Sequence, residues 1–266
     1  MTQPISVVTG GGGPQLGWGI CLALAEHGNH VVVADADPEA ASRATSLLRE
    51  MGFSATPSTL DVTDLSSVQE AIKQIETRLG RIDSLVNSAG IGLDKPIQLV
   101  TSLDFDRLMH VNVRGAMWCA SAVSRVMAAQ GGGSIVNIGT VHALGTATGY
   151  GLYSASKSAL VSLSRALAVE LGDDRIRCNV VHPGALRREQ DLDPESGDPE
   201  VRERHAAFAQ VRQVIHSPIR PVDVGNAVAF LASDAARMIT GTELTVDAGT
   251  SALLHDLRPA TKHQPR

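Results

Sequence analysis

Residues 5–17 of the chain read Ile5-Ser6-Val7-Val8-Thr9-Gly10-Gly11-Gly12-Gly13-Pro14-Gln15-Leu16-Gly17. The first five residues form a short apolar run of strand length, and a glycine-rich turn follows them directly. An apolar helical pattern then extends from Ile20 to Gly28. Glycine permits close backbone approach, and a helix N-terminus offers unpaired N–H groups to a phosphate. The stretch therefore predicts a strand, a phosphate-binding turn and a helix, although a surface turn without a ligand could have the same composition.

The rest of the chain repeats this alternation of strand and helix, which is typical of βαβ units and a parallel sheet. Further strands are predicted at residues 30–35, 55–60, 82–86, 134–138, 175–181 and 243–246. Helical patterns lie at residues 64–79, 102–129, 150–171 and 221–233, and Asp37-Pro38-Glu39 opens another. Right-handed crossovers between these units predict an α/β fold, a Rossmann-type doubly wound parallel sheet of about seven strands with helices on both faces.

We expect a single domain over residues 1–256, within which residues 185–216 are polar and interrupted by Pro and Gly and form a substrate lid. Residues 257–266 are expected to be a flexible tail. Net charge is −5 with no strongly basic run, so nucleic acid and anionic membranes are not expected partners. No apolar run reaches the roughly 20 residues of a membrane span, and no basic-then-apolar signal pattern begins the chain, so we expect a cytoplasmic protein.

The spacing of the cysteine and histidine residues does not indicate a metal site. Cys21, Cys119 and Cys178 each lie in an apolar stretch and are interpreted as buried reduced thiols. The nine His residues have no paired ligand spacing. The sequence therefore predicts a protein without a metal or disulfide framework.

Asp35 ends the second predicted strand, where a carboxylate can accept a hydrogen bond from an adenosine ribose hydroxyl. A plain helix-entry Asp is the alternative, but Asp37 already fills that role. A carboxylate at Asp35 would repel a 2′-phosphate, and neither Ala36 nor Gln15 supplies a compensating cation. NAD(H) is therefore favoured over NADP(H).

Tyr153-Ser154-Ala155-Ser156-Lys157 places a phenol and an ammonium four residues apart, on one face of a helix. A free phenol has a pKa of about 10, and a close cation favours the phenolate. The pair could therefore carry a proton near neutral pH. A surface helix with a solvated Lys and a half-buried Tyr is the alternative.

Several motifs in the correct order together resemble the short-chain dehydrogenase/reductase family over nearly the full length of the chain. They are Thr9-Gly10 with Gly17, Asp61-Val62, Asn87-Ser88-Ala89-Gly90, Asn112, Tyr153 with Lys157, Pro183-Gly184, and Thr240-Gly241 with Val246-Asp247. The resemblance implies a nicotinamide cofactor, NAD by the argument from Asp35, and a catalytic set of Asn112, Thr140, Tyr153 and Lys157. It also implies a cofactor site formed by Gly10, Gln15, Leu16, Gly17, Asp35, Asp61, Val62, Asn87, Ala89, Gly90, Tyr153, Lys157, Pro183, Gly184 and Leu186.

Three positions depart from the family pattern. Gln15 stands near the place of the middle glycine, in a turn about one residue longer; pairing Gly17 with Gly19 would need a larger insertion. Thr140 stands where the family usually has serine, and Arg188 where it often has threonine. A threonine hydroxyl can still donate one hydrogen bond and accept another, although a strand-end turn residue would look the same.

By this resemblance, Tyr153 exchanges a proton with a carbonyl or hydroxyl oxygen while hydride moves between the nicotinamide and the carbinol carbon. Thr140 orients that oxygen, Lys157 lowers the pKa of the phenol and holds the nicotinamide ribose, and Asn112 kinks its helix and binds a proton-relaying water.

The expected substrate is a small-molecule secondary alcohol or ketone, with walls at 91–93, 141–150 and after Gly184; His142 and Tyr150 are candidates for the entrance. A 3-oxoacyl thioester reductase and a non-catalytic nucleotide-binding scaffold remain alternatives. Family members are commonly tetramers, so a homo-oligomer (tetramer or dimer) is expected, packed through 102–129 and 150–171. The small-residue face of Ala155, Ala159, Ser162 and Ala166 suits that packing or an intramolecular one.

Overall fold

In the computed structural model, which describes residues 3–186 and 199–253, the described residues form a seven-stranded, wholly parallel sheet. The strands are β1 Ile5–Thr9, β2 His30–Asp35, β3 Ala55–Thr59, β4 Ser84–Asn87, β5 Gly133–Ile138, β6 Ile176–Pro183 and β7 Glu243–Val246. Their order across the sheet is β3-β2-β1-β4-β5-β6-β7. The predicted Rossmann-type doubly wound sheet is confirmed. The order reverses between β1 and β4, and the carboxyl ends of those two strands border the crevice where such sheets bind ligands.

Helices cover both faces of the sheet. They are α1 Leu16–Glu26, α2 Pro38–Glu50, α3 Leu65–Leu79, α4 Ser102–Met109, α5 Ala116–Gln130, α6 Gly151–Glu170, α7 Pro199–Arg212 and α8 Pro221–Ala232. Alternate strand residues point to opposite faces, so Val7 packs with α3 and α5 while Val8 packs with α1, α2 and α8. Both faces are buried, which explains the β-branched runs in the strands.

The segment predicted as one helix over 102–129 is interrupted. A π-helix at His110–Gly115 separates α4 from α5. Within it the side chain of Asn112 leaves the helix and bonds both backbone groups of Ile91. The resemblance implied a kink at Asn112, and the interruption of the helix lies at this residue.

The chain between β6 and α8 contains α7, a helix that the sequence reading did not predict. The predicted lid over 185–216 overlaps it, but residues 187–198, including Arg188, lie outside the described residues. Residues 257–266, predicted as a tail, also lie outside them.

The three cysteines are free and buried, as predicted. Burial raises the pKa of the Cys119 and Cys178 thiols to about 12. Among the described residues no group of three or more His, Cys, Asp or Glu side chains is arranged to hold a metal ion, and no helix could span a bilayer.

Candidate active site

The loops after β1 and β4 touch each other at the carboxyl edge of the sheet. Thr9 Oγ1 accepts a hydrogen bond from the Ala89 amide at 3.2 Å. Gly10 has φ +66°, and a Cβ there would lie 2.9 Å from Ala89 Cα. The predicted residues Gly10, Ala89 and Gly90 therefore meet at the switch point of the sheet, where the crevice opens.

Asp35 anchors the glycine-rich turn to the end of β2. Its Oδ2 accepts from the Gly12 amide at 3.0 Å, and its Oδ1 accepts from the Asp37 amide at 3.1 Å. The carboxylate is half-buried. A negative charge is thus fixed beside the turn and at the carboxyl end of the strand next to β1.

The turn itself brings α1 to the crevice. Gln15 precedes α1 and is exposed, Leu16 and Gly17 begin the helix, and a Cβ on Gly17 would lie 2.1 Å from Gly10 O. Gly19 instead faces α8, where a Cβ would lie 2.4 Å from Pro221. Gly17 is therefore the glycine of the turn, as the smaller insertion predicts, and Gly19 serves helix packing.

Tyr153 is half-buried on the first turn of α6, and the hydroxyl of Thr140, just after β5, is near enough to its phenol to influence the pKa. The structure thus brings two predicted catalytic residues together. Burial raises the pKa of Tyr153, and the Thr140 hydroxyl opposes this shift only partly. The sequence predicted a lowered pKa through Lys157, so the direction here is the opposite one.

Lys157 is 4% exposed, and its Nζ donates to Ile138 O at 2.8 Å. Burial lowers the pKa of its ammonium to about 8 because the cation loses hydration. An ammonium has three donors, and the bond to Ile138 O occupies one of them. Nζ also lies 3.2 Å from where a Cβ on Gly90 would be, so it faces the loop after β4.

Asn112 holds the same loop from the other side. Its Oδ1 accepts from Ile91 N at 2.9 Å, and its Nδ2 donates to Ile91 O at 2.9 Å and to Ser156 Oγ at 3.0 Å. The predicted residues Asn112 and Lys157 therefore flank Gly90 together, at 3.3 and 3.2 Å from its Cβ position.

Other predicted cofactor residues lie along the same edge of the sheet, and some of their side chains are already hydrogen-bonded within the protein. Asn87 is 3% exposed, and its Nδ2 donates to Asn137 Oδ1 at 2.8 Å, so this side chain ties β4 to β5. Asp61 Oδ1 accepts from Thr63 at 2.8 and 2.7 Å in the turn after β3. Val62 is buried against the π-helix, the Gly184 amide donates to Val246 O at 3.0 Å, and Leu186 bridges to Ile219.

An aromatic wall stands beside Tyr153. The rings of His142 and Tyr150 stack at 4.5 Å between centroids, and each meets the Tyr153 ring edge-on, at 6.1 and 6.3 Å. Burial lowers the pKa of His142, which favours the neutral imidazole near pH 7. The two candidates for the entrance therefore present a flat, uncharged surface next to the phenol.

These residues fit a nicotinamide dinucleotide. The glycine turn and the start of α1 offer backbone N–H groups to a pyrophosphate, and Asp35 offers an acceptor to a ribose. The buried Lys157 ammonium, with donors remaining beside Gly90, suits the hydroxyls of a second ribose. The donor set therefore matches the two ends of such a cofactor.

The chain is similar to known proteins over most of its length. A family model described as "Enoyl-(Acyl carrier protein) reductase" matches residues 14–251. Cyclopentanol dehydrogenase of Comamonas sp. is 34% identical over 95% of this chain and 98% of its own length. The 7alpha-hydroxysteroid dehydrogenase of Bacteroides fragilis is 32% identical, covering 92% of this chain and 93% of its own. A gluconate 5-dehydrogenase from Burkholderia cenocepacia, solved in complex with NADP and tartrate, superposes with TM-score 0.85 at 29% identity over 96% of this chain and 97% of that one.

The sheet, the residues at its carboxyl edge and the relatives named as dehydrogenases together identify an oxidoreductase. The chain belongs to the short-chain dehydrogenase/reductase family.

The sequence reading missed two side chains of this region. Ser156 bonds Asn112, and its place inside the Tyr153–Lys157 motif was the available signal. His182, directly before Pro183-Gly184, is fully buried beneath Thr140. A polar residue directly after the apolar pair Val180-Val181 could have drawn attention to it.

Proposed function

We propose that this protein is an NAD(H)-dependent dehydrogenase that interconverts a cyclic secondary alcohol and its ketone, with Tyr153 as the proton donor and acceptor. The observation that carries the proposal is the pairing of the Tyr153 phenol with the Thr140 hydroxyl, which partly offsets the rise in the pKa of the phenol, with Lys157 buried one turn further along α6. A phenol and a second hydroxyl that lie next to each other can both reach a single substrate oxygen.

A bound nicotinamide would supply or accept the hydride. Tyr153 would give its proton to the carbonyl oxygen in reduction and would take the hydroxyl proton in oxidation. The Thr140 hydroxyl would donate to the same oxygen and stabilise its developing charge. Because burial raises the pKa of Tyr153, the phenol is protonated at neutral pH and is ready for reduction.

Lys157 and Asn112 act behind Tyr153 in this proposal. The remaining Nζ donors would hold the ribose hydroxyls beside Gly90, and the cation would favour a phenolate whenever Tyr153 loses its proton. Asn112 is proposed to hold a water that passes protons from Lys157, since both side chains flank Gly90. Its side-chain contacts with Ile91 keep that loop in place.

Asp35 supports NAD(H) over NADP(H). Its Oδ2 is fixed 3.0 Å from the Gly12 amide, so the carboxylate cannot swing away freely from the ribose position. A 2′-phosphate there would place two negative charges close together. The gluconate 5-dehydrogenase neighbour carries NADP, so cofactor choice must be measured on this chain.

The substrate class follows from the stacked His142–Tyr150 pair and from the relatives. A flat, neutral aromatic surface favours an apolar ring over a charged chain. The cyclopentanol and hydroxysteroid dehydrogenases are named for ring alcohols.

The test is a cofactor-consumption assay with NAD(H) and NADP(H) against four substrate groups: cyclic alcohols and ketones, linear secondary alcohols, sugar acids, and 3-oxoacyl thioesters. We expect the highest kcat/KM for a cyclic substrate with NAD(H). A preference for a thioester with NADPH would instead support a 3-oxoacyl thioester reductase. Cofactor binding without turnover of any substrate would support a non-catalytic scaffold.

A further inference from the structure

A buried polar chain extends from the protein surface to the backbone of Thr140. Arg165 on α6 is ion-paired with Glu243 at the start of β7. Glu243 Oε2 lies 2.9 Å from His182 Nε2, and His182 is 0% exposed near the end of β6. On the other side of the ring, Nδ1 lies 3.0 Å from Thr140 N and 2.9 Å from Thr140 O.

The carboxylate of Glu243 orients the ring of His182 by accepting a hydrogen bond from Nε2. Burial raises the pKa of Glu243, but hydrogen bonds from His182 and Arg165 outweigh it, so the net shift is downward and the group is an ionised acceptor. Nε2 of His182 therefore carries the hydrogen and donates to Glu243. Nδ1 contacts both backbone groups of Thr140, the amide nitrogen at 3.0 Å and the carbonyl oxygen at 2.9 Å, so the ring holds this residue from one side.

Close packing holds the His182 ring in this position. A Cβ on Gly139 would lie 2.5 Å from His182 Nδ1, so the residue before Thr140 has room for no side chain. Gly139 N also bonds Val181 O at 2.8 Å, which joins the two strand ends next to the ring. Thr140 then turns its hydroxyl to Tyr153, and that hydroxyl also caps the short helical turn at Val141–Ala143 by accepting from the His142 amide at 3.3 Å.

We propose that His182 is a positioning residue: oriented by Glu243, it fixes the backbone of Thr140 and thereby the hydroxyl that faces Tyr153. The inference rests on the proposed function, because it assigns a purpose to Thr140 in that reaction. His182 itself touches neither the phenol nor a substrate position in this account. It acts only through the Thr140 backbone.

The test is a double-mutant cycle between His182 and Thr140, measured as kcat and KM on the best substrate of the panel. His182→Leu should lower kcat by about tenfold to 100-fold, with cofactor binding unchanged, since a small displacement of a reacting group has effects of that size. In a Thr140→Ala background the same change should lower kcat by at most about twofold, because the hydroxyl that it displaces is already gone. His182→Asn should retain more activity than His182→Leu, since its amide oxygen can take the place of Nδ1.

Asn179→Leu is the matched control. Asn179 is also 0% exposed on β6, and its bonds run to Ile239 and Thr242 rather than to Thr140. Its effect on kcat should be the same with and without the Thr140 hydroxyl. If the His182 effect were equally additive, a general loss of packing would explain it and the proposal would be wrong.

Two further measurements test the proposal if His182→Leu does not fold or no substrate is turned over. Glu243 is more exposed than His182, so Glu243→Ala should disturb the fold less, and we expect it to lower kcat by about threefold to tenfold. Glu243→Gln should recover activity, because its amide oxygen still accepts a hydrogen bond from Nε2 of His182. Hydrogen exchange at the Thr140 amide needs no substrate and should speed up about tenfold in Glu243→Ala relative to the unmodified protein. Unchanged exchange would overturn the proposal, whereas absence of turnover with faster exchange would overturn the proposed function alone.

Discussion

Tyr153 and Lys157 lie four residues apart on α6, and burial shifts both pKa values in the direction that favours the neutral side chain. The pKa of the phenol is raised, and that of the ammonium is lowered to about 8. The protein therefore keeps a costly buried cation beside the crevice. Such a cation reduces stability and is retained where function needs it.

We expect Lys157→Met to abolish turnover and to stabilise the fold at pH 7. A shift from 10.5 to about 8 costs about 3 kcal/mol, and losing the bond to Ile138 O offsets about 1 kcal/mol, leaving a gain of about 2 kcal/mol. Urea unfolding measures it, with the exposed Lys73→Met on α3 as the control. A less stable Lys157→Met protein would contradict the burial cost.

The sign of the pH dependence follows from the same shift. The folded pKa of Lys157 lies below its unfolded value, so the unfolded chain binds more protons between about pH 8 and 10.5. Stability of the unmodified protein should therefore contain a contribution that rises with pH across this window. That contribution should be missing from Lys157→Met, as paired unfolding curves at several pH values would reveal.

Thr140→Ala should lower kcat by about 10²-fold, the usual effect of removing one positioned donor, while cofactor affinity stays nearly constant. Thr140→Ser is the matched comparison, because it keeps the hydroxyl and should remain close to full activity. Steady-state kinetics on both variants decides the matter. Near-full activity of Thr140→Ala would mean that the hydroxyl only caps the turn at Val141–Ala143.

At the scale of elements, α1 and α8 cross at a contact between two glycines. A Cβ on Gly225 would lie 2.4 Å from Gly19 O, and one on Gly19 would lie 2.4 Å from Pro221. This contact holds the helix that begins at the phosphate-binding turn. The contact between α1 and α8 thus fixes the position of the glycine-rich turn in the candidate site.

Gly225→Ala should destabilise the protein by about 1–3 kcal/mol through overpacking. Gly172→Ala is the control, since nothing lies within 4 Å of its Cβ position and its φ is not in the left-handed region. Thermal unfolding of both variants gives the comparison. Equal melting temperatures would contradict the tight crossing.

The strands were largely predictable from sequence because alternation and β-branched runs depend on local pattern. The turn after β1 was predictable for the same reason, since glycines between a strand and a helix have few other uses. The π-helix was not predictable from periodicity, because it depends on Asn112 meeting Ile91 across the fold. The direction of the Tyr153 pKa shift depends on burial in the folded protein. The position of His182 next to Thr140 depends on the pairing of two strands. Neither can be predicted from the local sequence.

For the whole molecule, the outer face of α6 bears on assembly. Ala155, Ser162 and Ala166 are exposed and Ala159 is partly buried, so this small-residue face is not used up by packing within the chain. Val169 beside it is 82% exposed. The predicted homo-oligomer remains a prediction, and this face is where we expect close helix packing between subunits.

Light scattering coupled to size exclusion should therefore report a tetramer or a dimer. Ala166→Arg should shift the mass toward smaller species, because a long charged side chain cannot enter a close helix contact. Glu76→Arg on the exposed face of α3 should leave the mass unchanged. A monomeric unmodified protein would count against the expected assembly.

The central claim is that Tyr153 carries the proton, and Tyr153→Phe tests it most directly because it removes only the phenol oxygen. The measurement is kcat with NAD(H) and the best cyclic substrate, together with the affinity for NADH. We predict that turnover is lost, by about 10³-fold or more, while NADH affinity remains within about threefold. Turnover within about tenfold of the unmodified enzyme would contradict the account.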